Sequence, residues 1–564
     1  MAMQSAQQAS GKPPEAQLAN SNSLKLVVGA STAGTIFEWY DFFIFGALTA
    51  TISKVFFSGL PDTASYFAAL GLFGAGFAFR PLGALFFGRL GDKNGRKSTF
   101  FATLLLMGLS TIGIGLLPAY QQAGLISPAM LVALRVLQGF ALGGEFGGAA
   151  IYVAEHAPKH RRGVLTSLVQ TSAGGGLLVA LLVILATRSF ASQWGDQAFD
   201  SWGWRIPFLA SAGMLLVALL IRMRLAESPA FVEAKSQGAL ARAPYAEVFG
   251  NPRNLKRVLL ALIALVAGQT CSWYTTFFYT QTFMEKSLGV SPGLVGMLAL
   301  GAVVLSIPLY AFFGWLSDRI GRKRVMATGL CLAAAAYFPG FTLLTHALNP
   351  QLANALATQK VVLIAPKAEC SFQLDPVGRA EFTTACDVAK RALAGAGVSY
   401  ATAQQSPGSS SASIRIGEQD LKISPASGGS SAENREYQKA INRDVLKALR
   451  DAGYPAGATP DAAGLAMAFL VLSVFVATAA AIYGPLTACL VELFPLRIRY
   501  TALSVPYHLG TGWIGGFLPF VAFAIVVFAG NIYAGLWYPF IFTTLSALTC
   551  VLFLPETRGA NLSD

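Results

Sequence analysis

Ionisable side chains inside otherwise apolar stretches are the first candidates for chemistry in this sequence. Glu38 and Asp41 are three residues apart, so they share one face if the stretch is a helix. A second stretch carries polar residues at helical spacing on one face: Arg135, Gln138 and Glu145. Placing a charge in the middle of a membrane helix costs roughly 2.5–3.5 kcal/mol on insertion scales. Such residues are therefore candidates for carrying a proton or binding a polar substrate.

Arg80 and His508 are two further candidates, and each has a plain structural alternative. The guanidinium of Arg80 would hold a substrate carboxylate through paired hydrogen bonds. Alternatively, it snorkels to the membrane surface or pairs with Glu145. His508 follows Tyr507, and the intrinsic pKa of an imidazole suits proton transfer. The alternative is that His508 only packs, as a lone histidine often does.

Aromatic side chains form a third group of candidates. One turn rich in aromatic residues contains Gln269, Trp273 and Tyr274, and it would either line a binding site or face lipid and the protein core. Tyr40 and Tyr507 are further candidates for binding the substrate. Trp39, Trp273 and Tyr274 would also suit a cationic ligand through cation–π contact.

The elements that must position these residues are membrane helices. The 564 residues are 54% hydrophobic and 12% charged, with a mean hydropathy of +0.54, whereas an average soluble protein has roughly a quarter charged residues. This composition excludes a disulfide-rich scaffold or a mainly disordered chain, and it argues against a soluble nucleic-acid-binding protein despite the net charge of +13. A span needs about 20 apolar residues. We count twelve predicted spans: 24–50, 65–90, 98–118, 127–154, 164–188, 205–225, 257–283, 293–316, 325–347, 464–491, 500–528 and 533–554.

Lys and Arg residues predict the orientation of these spans. With both termini inside, the inner loops and tails hold most of the basic residues, and the five short outer loops hold only Lys54, Arg188 and Lys286. Because positive charge is retained on the cytoplasmic side, both termini are predicted to be cytoplasmic. Residues 1–23 lack the apolar segment of a signal peptide and are predicted to be a disordered tail.

Two motifs occur twice and divide the spans into halves. Gly88–Lys97 and Gly314–Lys323 nearly repeat at an offset of 226 residues, and the pattern Glu-x-x-Pro-x-x-x-Arg recurs at an offset of 337. The difference of 111 residues measures an insertion in the second half. Two such halves fit a parallel-repeat transporter, with its binding site between them near the midplane. The charged residues of the motifs are predicted at the inner face: Asp92, Arg96, Lys97, Asp318, Arg322, Lys323, Glu155, Arg162, Glu492 and Arg499.

The insertion at 348–463 is hydrophilic and is predicted to be a small extracytoplasmic α/β module. Strands are predicted at 361–365, 413–416 and 420–423, helices at 384–396 and 432–452, and a Ser/Gly-rich loop at 404–412. Cys370 and Cys386 both lie in it, on the oxidising side of the membrane, where a disulfide is plausible. The other four cysteines lie in predicted spans, where an apolar environment favours inert packing.

The repeated Gly-x-Leu-Gly/Ser-Asp-x-x-Gly-Arg-Lys segments resemble the signature loop of the major facilitator superfamily. The chain also resembles one branch, the metabolite:proton symporters, in four stretches: Glu38–Phe42, Arg80–Gly83, Arg135–Gly139 with Gly143–Glu145, and Trp202–Phe208. Two shorter matches are Glu227–Pro229 and Glu492–Pro495 with Arg499. The insertion departs from the compact members, and Phe45 stands where a Tyr is common. Members of this branch carry 2-oxoglutarate, citrate, shikimate and other carboxylates, or proline and betaine, so the resemblance does not choose the solute.

The resemblance implies an all-α polytopic membrane protein of twelve helices in two six-helix halves, with the small α/β insertion added. The units would be a cytoplasmic tail (1–23), the N-terminal half (24–225), a linker (226–256), helices 7–9 (257–347), the insertion (348–463), helices 10–12 (464–554) and a second tail (555–564). The resemblance also implies that the protein lies in a bacterial inner membrane.

For the site, the resemblance implies an ion pair between Asp41 and Arg135 and an interdomain latch formed by the loop charges. An Asp41 that alternates between paired carboxylate and protonated acid would couple protons to transport. The alternative is a permanent buried ion pair that only fixes packing. The loop charges would equally serve as topology anchors.

The leading functional hypothesis is proton-driven import of a small organic acid. The rivals are import of a zwitterion such as proline or betaine, an antiporting exporter, and a non-transporting receptor that uses the outer module. No Walker A loop, zinc-ligand cluster or catalytic triad spacing is present in the sequence, so neither an ATP-driven pump nor an enzyme is supported. The expected partners are the substrate, protons and the lipid bilayer, with no nucleic acid, ATP or cofactor.

Overall fold

The computed structural model describes residues 14–60, 62–94, 96–144, 151, 153–154, 157–195, 197–223, 244–366, 370, 383–404, 411–426, 431–495 and 498–560. Helices dominate, and the α-helices of the first part of the chain are α1 Pro14–Ala47, α2 Thr49–Phe56, α3 Asp62–Ala78, α4 Arg80–Asn94, α5 Arg96–Leu116, α6 Tyr120–Ala123, α7 Ile126–Leu142, α8 Arg162–Ser192 and α9 Arg205–Met223. A 3₁₀ turn, Lys159–Arg161, precedes α8, and a π turn, Phe199–Gly203, precedes α9.

The middle of the chain contains one long helical segment that changes its winding several times. It consists of α10 Pro244–Phe249, α11 Pro252–Leu260, a π turn at Ala261–Ala267, α12 Gly268–Tyr274, a π turn at Thr275–Tyr279, α13 Thr280–Thr282 and a π turn at Phe283–Ser287. Two long helices follow, α14 Pro292–Ile320 and α15 Arg322–Leu348. Since π turns are frequent at functional sites, the region around α12 is a candidate for lining such a site.

The insertion folds as the predicted α/β module. Its elements are α16 Pro350–Thr358, β1 Val361–Ala365, α17 Ala385–Gly395, β2 Ala401–Gln404, β3 Ala412–Ile416, β4 Gln419–Ile423 and α18 Ser431–Asp451. The sheet order is β2-β1-β3-β4, with β1 parallel to β2 and antiparallel to β3. Alternate residues of β1 and β3 are buried, because one face of the sheet packs against α17 and α18. The sequence did not predict β2 or the helix α16.

The chain then returns to membrane-type helices: α19 Ala462–Leu493, α20 Arg499–Leu509, a π turn at Gly510–Gly515, α21 Leu518–Ala529, a 3₁₀ turn at Ala534–Leu536 and α22 Trp537–Phe553. Among the described residues, seven helical segments are long and apolar enough to cross a membrane: Lys159–Ser192, Pro252–Ser287, Pro292–Ile320, Arg322–Leu348, Ala462–Leu493, Arg499–Ala529 and Ala534–Phe553. Shorter apolar helices are Phe101–Leu116, Ile126–Leu142 and Arg205–Leu220. A helical membrane protein with several spans is therefore confirmed.

Two differences from the sequence-based expectation have local causes. The first helix begins at Pro14 rather than after residue 23, because proline is tolerated in a first helical turn and the Ala, Gln and Leu residues that follow favour a helix. The predicted span 65–90 is interrupted at Phe79, between α3 and α4. Pro81 lacks the N–H that a continuous helix would need there, so Arg80 starts a new helix.

Close helix packing places the candidate residues in the interior. A Cβ added to Gly139 of α7 would lie 1.6 Å from the carbonyl oxygen of Gly76 in α3, so these two helices touch through their backbones. A Cβ added to Gly314 of α14 would lie 2.8 Å from the carbonyl oxygen of Gly163 in α8. The first contact holds the helix of Arg135 against α3, and the second joins the two parts of the chain.

Candidate functional site

Asp41 lies at the contact between α1 and α9. Its side chain is buried, and Ser211 Oγ donates a hydrogen bond of 2.5 Å to Asp41 Oδ1. The neighbouring Tyr40 is fully buried and donates to the carbonyl oxygen of Pro207 at 2.6 Å. Tyr40 therefore anchors α1 to α9. Glu38 is also buried, one turn earlier on α1.

Arg135 is fully buried at the centre of a polar chain within the first half. Its Nη1 donates to Gln138 Oε1 at 2.8 Å, and Gln138 Nε2 donates to Thr111 Oγ1 of α5 at 2.7 Å. The guanidinium carbon of Arg135 also lies 4.5 Å from the ring centre of Phe42 and 4.1 Å from that of Phe45. Phe45 stands where a Tyr is common in the resembling family, so its ring, without a hydroxyl, covers this arginine.

Arg80 is likewise fully buried, at the start of α4. Its guanidinium carbon lies 4.8 Å from the ring centre of Phe77, 5.4 Å from that of Trp39 and 5.8 Å from that of Phe42. The neighbouring Pro81 packs against the second half, since a Cβ added to Gly512 would lie 3.6 Å from its ring. Arg80 does not snorkel to the membrane surface. It lies where the first and second parts of the chain meet.

Aromatic stacking crosses between the two parts at the same level. Phe43 of α1 stacks on Trp273 of α12 with ring centres 5.4 Å apart, and Phe77 of α3 meets Tyr274 edge-on at 5.3 Å. Because Trp39 already contacts the guanidinium of Arg80, its ring is used by one of the protein's own cations. Of the three rings predicted to bind a cationic ligand, Trp39, Trp273 and Tyr274, the ring of Trp39 therefore already contacts a cation of the protein.

Two tyrosines that the sequence did not suggest complete the centre. Trp273 Nε1 donates to the hydroxyl of Tyr310 at 2.9 Å, and the ring of Tyr310 meets that of Tyr483 edge-on at 5.5 Å. The hydroxyls of Tyr483 and Tyr507 are 3.4 Å apart. These contacts link α12, α14, α19 and α20 around one row of phenol groups. A tyrosine in an apolar helix gives no periodic signal, so only the fold could reveal this row.

Several buried polar atoms near this centre have no hydrogen-bond partner within the part of the chain that the structure describes. They include both ring nitrogens of His508, Ser504 Oγ, Thr270 Oγ1 and Gln269 Oε1. A buried polar group without a partner costs about 1–3 kcal/mol. Such a concentration indicates a place where a ligand or water completes the hydrogen bonding.

The motif residues form a second cluster, which we call the latch: Arg162, Asp318, Arg322 and Glu492. Glu492 Oε1 lies 2.9 Å from Arg162 Nη1, and Glu492 Oε2 lies 3.3 Å from Arg322 Nε. Asp318 accepts from Arg322 Nη1 at 2.7 Å and from the backbone N–H of Gly163 at 2.8 Å. The latch joins the beginning of α8 to α14, α15 and α19, so it bridges the two motif-bearing parts of the chain.

The end of the chain also packs on the latch. Glu556 accepts hydrogen bonds from the backbone N–H groups of Arg322 and Lys323, at 2.9 and 3.3 Å. Thr557 Oγ1 donates to Glu492 Oε2 at 3.0 Å. Arg499 differs from the latch residues, since its Nε donates to the carbonyl oxygens of Val491 and Phe494 and so closes the end of α19.

Some predicted residues lie outside this description. Glu145 and Glu155 are not among the described residues. Asp92, Arg96 and Lys97 belong to the helices α4 and α5, but their side chains are not described.

In the module, Cys370 and Cys386 form a disulfide, with Cα atoms 5.2 Å apart. The module docks on the loops of the second half: the backbone N–H of Tyr400 donates to the carbonyl oxygen of Gly530 at 2.6 Å, and that of Ala458 to Gly289 at 3.0 Å. The hydroxyl of Ser399 accepts from the backbone N–H of Ile532 at 3.1 Å.

Comparison with known proteins gives consistent family matches. Residues 26–252 match the family described as "Sugar (and other) transporter", and residues 269–359 match "Major Facilitator Superfamily". The shikimate transporter of Escherichia coli K12 is 36% identical over 336 residues, which are 59% of this chain and 75% of that protein. The glycine betaine/proline/ectoine/pipecolic acid transporter OusA of Dickeya dadantii is 32% identical over 327 residues, 57% of this chain and 65% of that protein.

Among solved structures, the proton:xylose symporter XylE bound to 6-bromo-6-deoxy-D-glucose superimposes with a TM-score of 0.62 at 16% identity, covering 96% of this chain and 98% of that one. The partially occluded inward-open conformation of XylE from E. coli gives a TM-score of 0.57 at 17% identity. At this identity the likeness shows the fold.

Proposed function

The chain belongs to the major facilitator superfamily and to its metabolite:proton symporter family, and from this premise we propose that it imports a small organic acid together with protons by alternating access. The proposed architecture has twelve spans in two six-helix halves, 24–225 and 257–554, joined by a linker at 226–256. Both termini lie in the cytoplasm and the insertion at 348–463 lies outside a bacterial inner membrane. The positive-inside distribution of Lys and Arg supports this orientation.

The position of two arginines favours an organic acid as the substrate over a zwitterion that has a quaternary ammonium group. Arg80 and Arg135 are both fully buried at the centre. They occupy ring faces of Trp39, Phe42, Phe45 and Phe77, all within 6 Å. A cationic headgroup needs free aromatic faces and is repelled by two guanidinium charges in a medium of low dielectric. A carboxylate is attracted by the same charges.

Asp41 is the proposed carrier of the transported proton, with Glu38, Arg135 and His508 as the other coupling candidates. The hydroxyl of Ser211 donates a hydrogen bond to one carboxylate oxygen of Asp41. Protonation would remove the charge that this hydrogen bond and the predicted partner Arg135 stabilise. The helix of Asp41 is anchored to α9 through Tyr40 and meets α12 through Phe43. A change at Asp41 thus has a physical route to the contact between the halves.

The latch is the proposed inner gate. Its four side chains are buried, and its ion pairs join α8 of the first half to helices of the second half. Opening the cytoplasmic side would break the Arg162–Glu492 pair. This is the interdomain role that the family resemblance implied for the motif residues.

Uptake by proteoliposomes tests the proposal. The purified full-length protein is reconstituted with an acidic exterior, and accumulation is followed for shikimate, 2-oxoglutarate, citrate, benzoate, proline and glycine betaine. Accumulation of a carboxylate that stops when an ionophore removes the pH gradient supports the proposal. Accumulation of proline or betaine alone would replace it by the zwitterion alternative. Binding without accumulation of any solute would favour the receptor alternative.

A further inference from the structure

We propose that Ser504 and His508 of α20, together with Arg80 of α4, hold the carboxylate of the substrate. This inference rests on the proposed function, because it assigns the atoms that bind the acid. Ser504 was not suggested by the sequence, and His508 was suggested for proton transfer rather than for substrate binding.

The register between α4 and α20 places His508 opposite the start of α4, with Ser504 one turn earlier on α20. Gly88 of α4 faces the ring of Tyr500, with an added Cβ 3.6 Å from it. Phe77 and Pro81 precede Gly88 in the chain, and both contact Gly512, which follows Tyr500. A Cβ added to Gly512 would lie 2.6 Å from the carbonyl oxygen of Phe77. The two helices therefore run antiparallel, and His508 lies opposite the start of α4. The hydrogen bond that Trp513 Nε1 donates to the carbonyl oxygen of Ala78 at 3.1 Å agrees with this register.

Ser504 and His508 share one face of α20, since they are four residues apart. Their exposed fractions are 1% and 0%. Within the described part of the chain, neither Ser504 Oγ nor either imidazole nitrogen has a hydrogen-bond partner. Buried polar atoms are nearly always paired, so three unsatisfied atoms on one helix face indicate that a further molecule supplies the partners.

The chemistry of the three side chains fits a carboxylate. Its two oxygens offer about four acceptor positions. A guanidinium, an imidazole N–H and a hydroxyl are all donors, and hydrogen bonds to a charged group are about twice as strong as neutral ones. Tyr507 lies beside His508, and its hydroxyl is engaged with that of Tyr483, 3.4 Å away. The Tyr507 hydroxyl is thus already used within the row of phenol groups.

The test compares the melting temperature of the empty protein with its affinity for the acid, because removing a residue with a purely structural role would lower the first and not the second. Removing an unsatisfied buried hydroxyl should not destabilise the empty protein, whereas it should weaken binding. For Ser504→Ala we expect a melting temperature equal to or above that of the wild type, and an affinity for the acid about tenfold lower. Thr543→Val is the matched control: its hydroxyl is hydrogen-bonded to Tyr337 at 3.2 Å. It should lower the melting temperature and leave the affinity unchanged.

Two variants of His508 provide a second measurement. His508→Ala should lower the affinity about tenfold, and His508→Gln, which keeps an N–H donor, should recover part of it. Binding is measured by calorimetry on the purified full-length protein with the sodium salts of shikimate, 2-oxoglutarate and benzoate.

The outcomes separate this inference from the proposed function. If the wild type accumulates an acid with protons while Ser504→Ala and His508→Ala bind it as tightly, the inference is overturned and the proposed function stands. A fall in melting temperature for Ser504→Ala equal to that of Thr543→Val would show that bound water already satisfies the hydroxyl, and would also overturn the inference. Accumulation of glycine betaine without any acid would overturn both.

Discussion

Arg162 and Glu492 lie 330 positions apart in the chain, yet Arg162 Nη1 donates to Glu492 Oε1 at 2.9 Å. Both side chains are almost completely buried, with exposed fractions of 3% and 0%. Glu492 also contacts Arg322 through its second oxygen. One carboxylate thus bridges two arginines that belong to different parts of the chain, so the proposed cytoplasmic contact between the halves depends on this residue.

The first prediction is that Glu492→Gln loosens the latch. Removing one partner of a buried ion pair costs about 3–5 kcal/mol because the other charge stays buried. We expect the inner side to open more often, so that a thiol reagent labels a cysteine placed at the buried Ser167 of α8, which packs against Gly314, faster than in the unchanged background. The control is Asp200→Asn, which removes an exposed ion pair with Lys54 and should change the rate little, since such pairs contribute about 0–1 kcal/mol. Equal labelling in both variants would show that the latch is not the gate.

The second prediction concerns Asp41. We expect Asp41→Asn to abolish accumulation driven by a pH gradient while exchange of substrate across the membrane continues. The amide keeps the size of the side chain and can still bond to Ser211, but it cannot bind and release a proton. Tyr40→Phe is the neighbouring control, because it loses only the anchor to Pro207. It should lower the stability of the protein and leave the dependence on the gradient intact. Normal accumulation by Asp41→Asn would remove this residue from coupling.

The third prediction asks whether the charge or the planar shape of the guanidinium group of Arg80 and Arg135 determines the affinity for the substrate. In both Arg80→Lys and Arg135→Lys the positive charge remains, but the planar fork and its stacking on aromatic rings are lost. For a carboxylate substrate we expect about a tenfold loss of affinity in calorimetry. Arg135→Lys should also destabilise the protein, because the hydrogen bond to Gln138 and the chain to Thr111 are weakened. Unchanged affinity in both variants would point instead to the zwitterion alternative.

The sequence predicted some parts of this arrangement because they leave a local signal. A charge in an apolar helix is conspicuous, so Asp41, Arg80 and Arg135 could be singled out from composition alone. The strand Val361–Ala365 was predicted with its observed bounds, because its apolar run ends abruptly in polar residues. The latch residues were found through a repeated motif.

Other parts depend on contacts between distant segments and leave no local signal. Ser211 and Thr111 are single hydroxyls in apolar helices, and nothing nearby shows that they bond to Asp41 and Gln138. Tyr310 and Tyr483 matter only because α14 and α19 meet. The short strand Ala401–Gln404 is mostly exposed, so it lacks the alternation of buried and exposed residues by which a strand is recognised.

The last prediction is that the module is dispensable for transport itself. The described contacts through which it docks lie on the second half, at Lys286, Gly289, Phe528, Gly530 and Ile532. The ends of the insertion are also adjacent, because an added Cβ on Gly464 would lie 2.1 Å from the carbonyl oxygen of Ala347. A short Gly/Ser linker in place of residues 350–460 can therefore join α15 to α19, and it keeps the C-cap residue of α15, Asn349, and the N-cap residue of α19, Asp461.

We expect this deletion variant to reach the membrane and to accumulate substrate at a rate within about threefold of the full chain, since the described hydrogen bonds of Arg135, Asp41 and Trp273 are made to residues of the membrane helices. Cys370→Ser is the milder comparison: loss of a disulfide that closes a loop of about 15 residues removes roughly 3 kcal/mol from the module and should leave uptake unchanged. Burial raises the pKa of Tyr400 to about 12, so its phenol stays neutral, and docking at Gly530 should not vary with pH in the range used for uptake. If the deletion variant folds and binds the acid but no longer moves it, the module is part of the transport mechanism, as an outer lid on the second half.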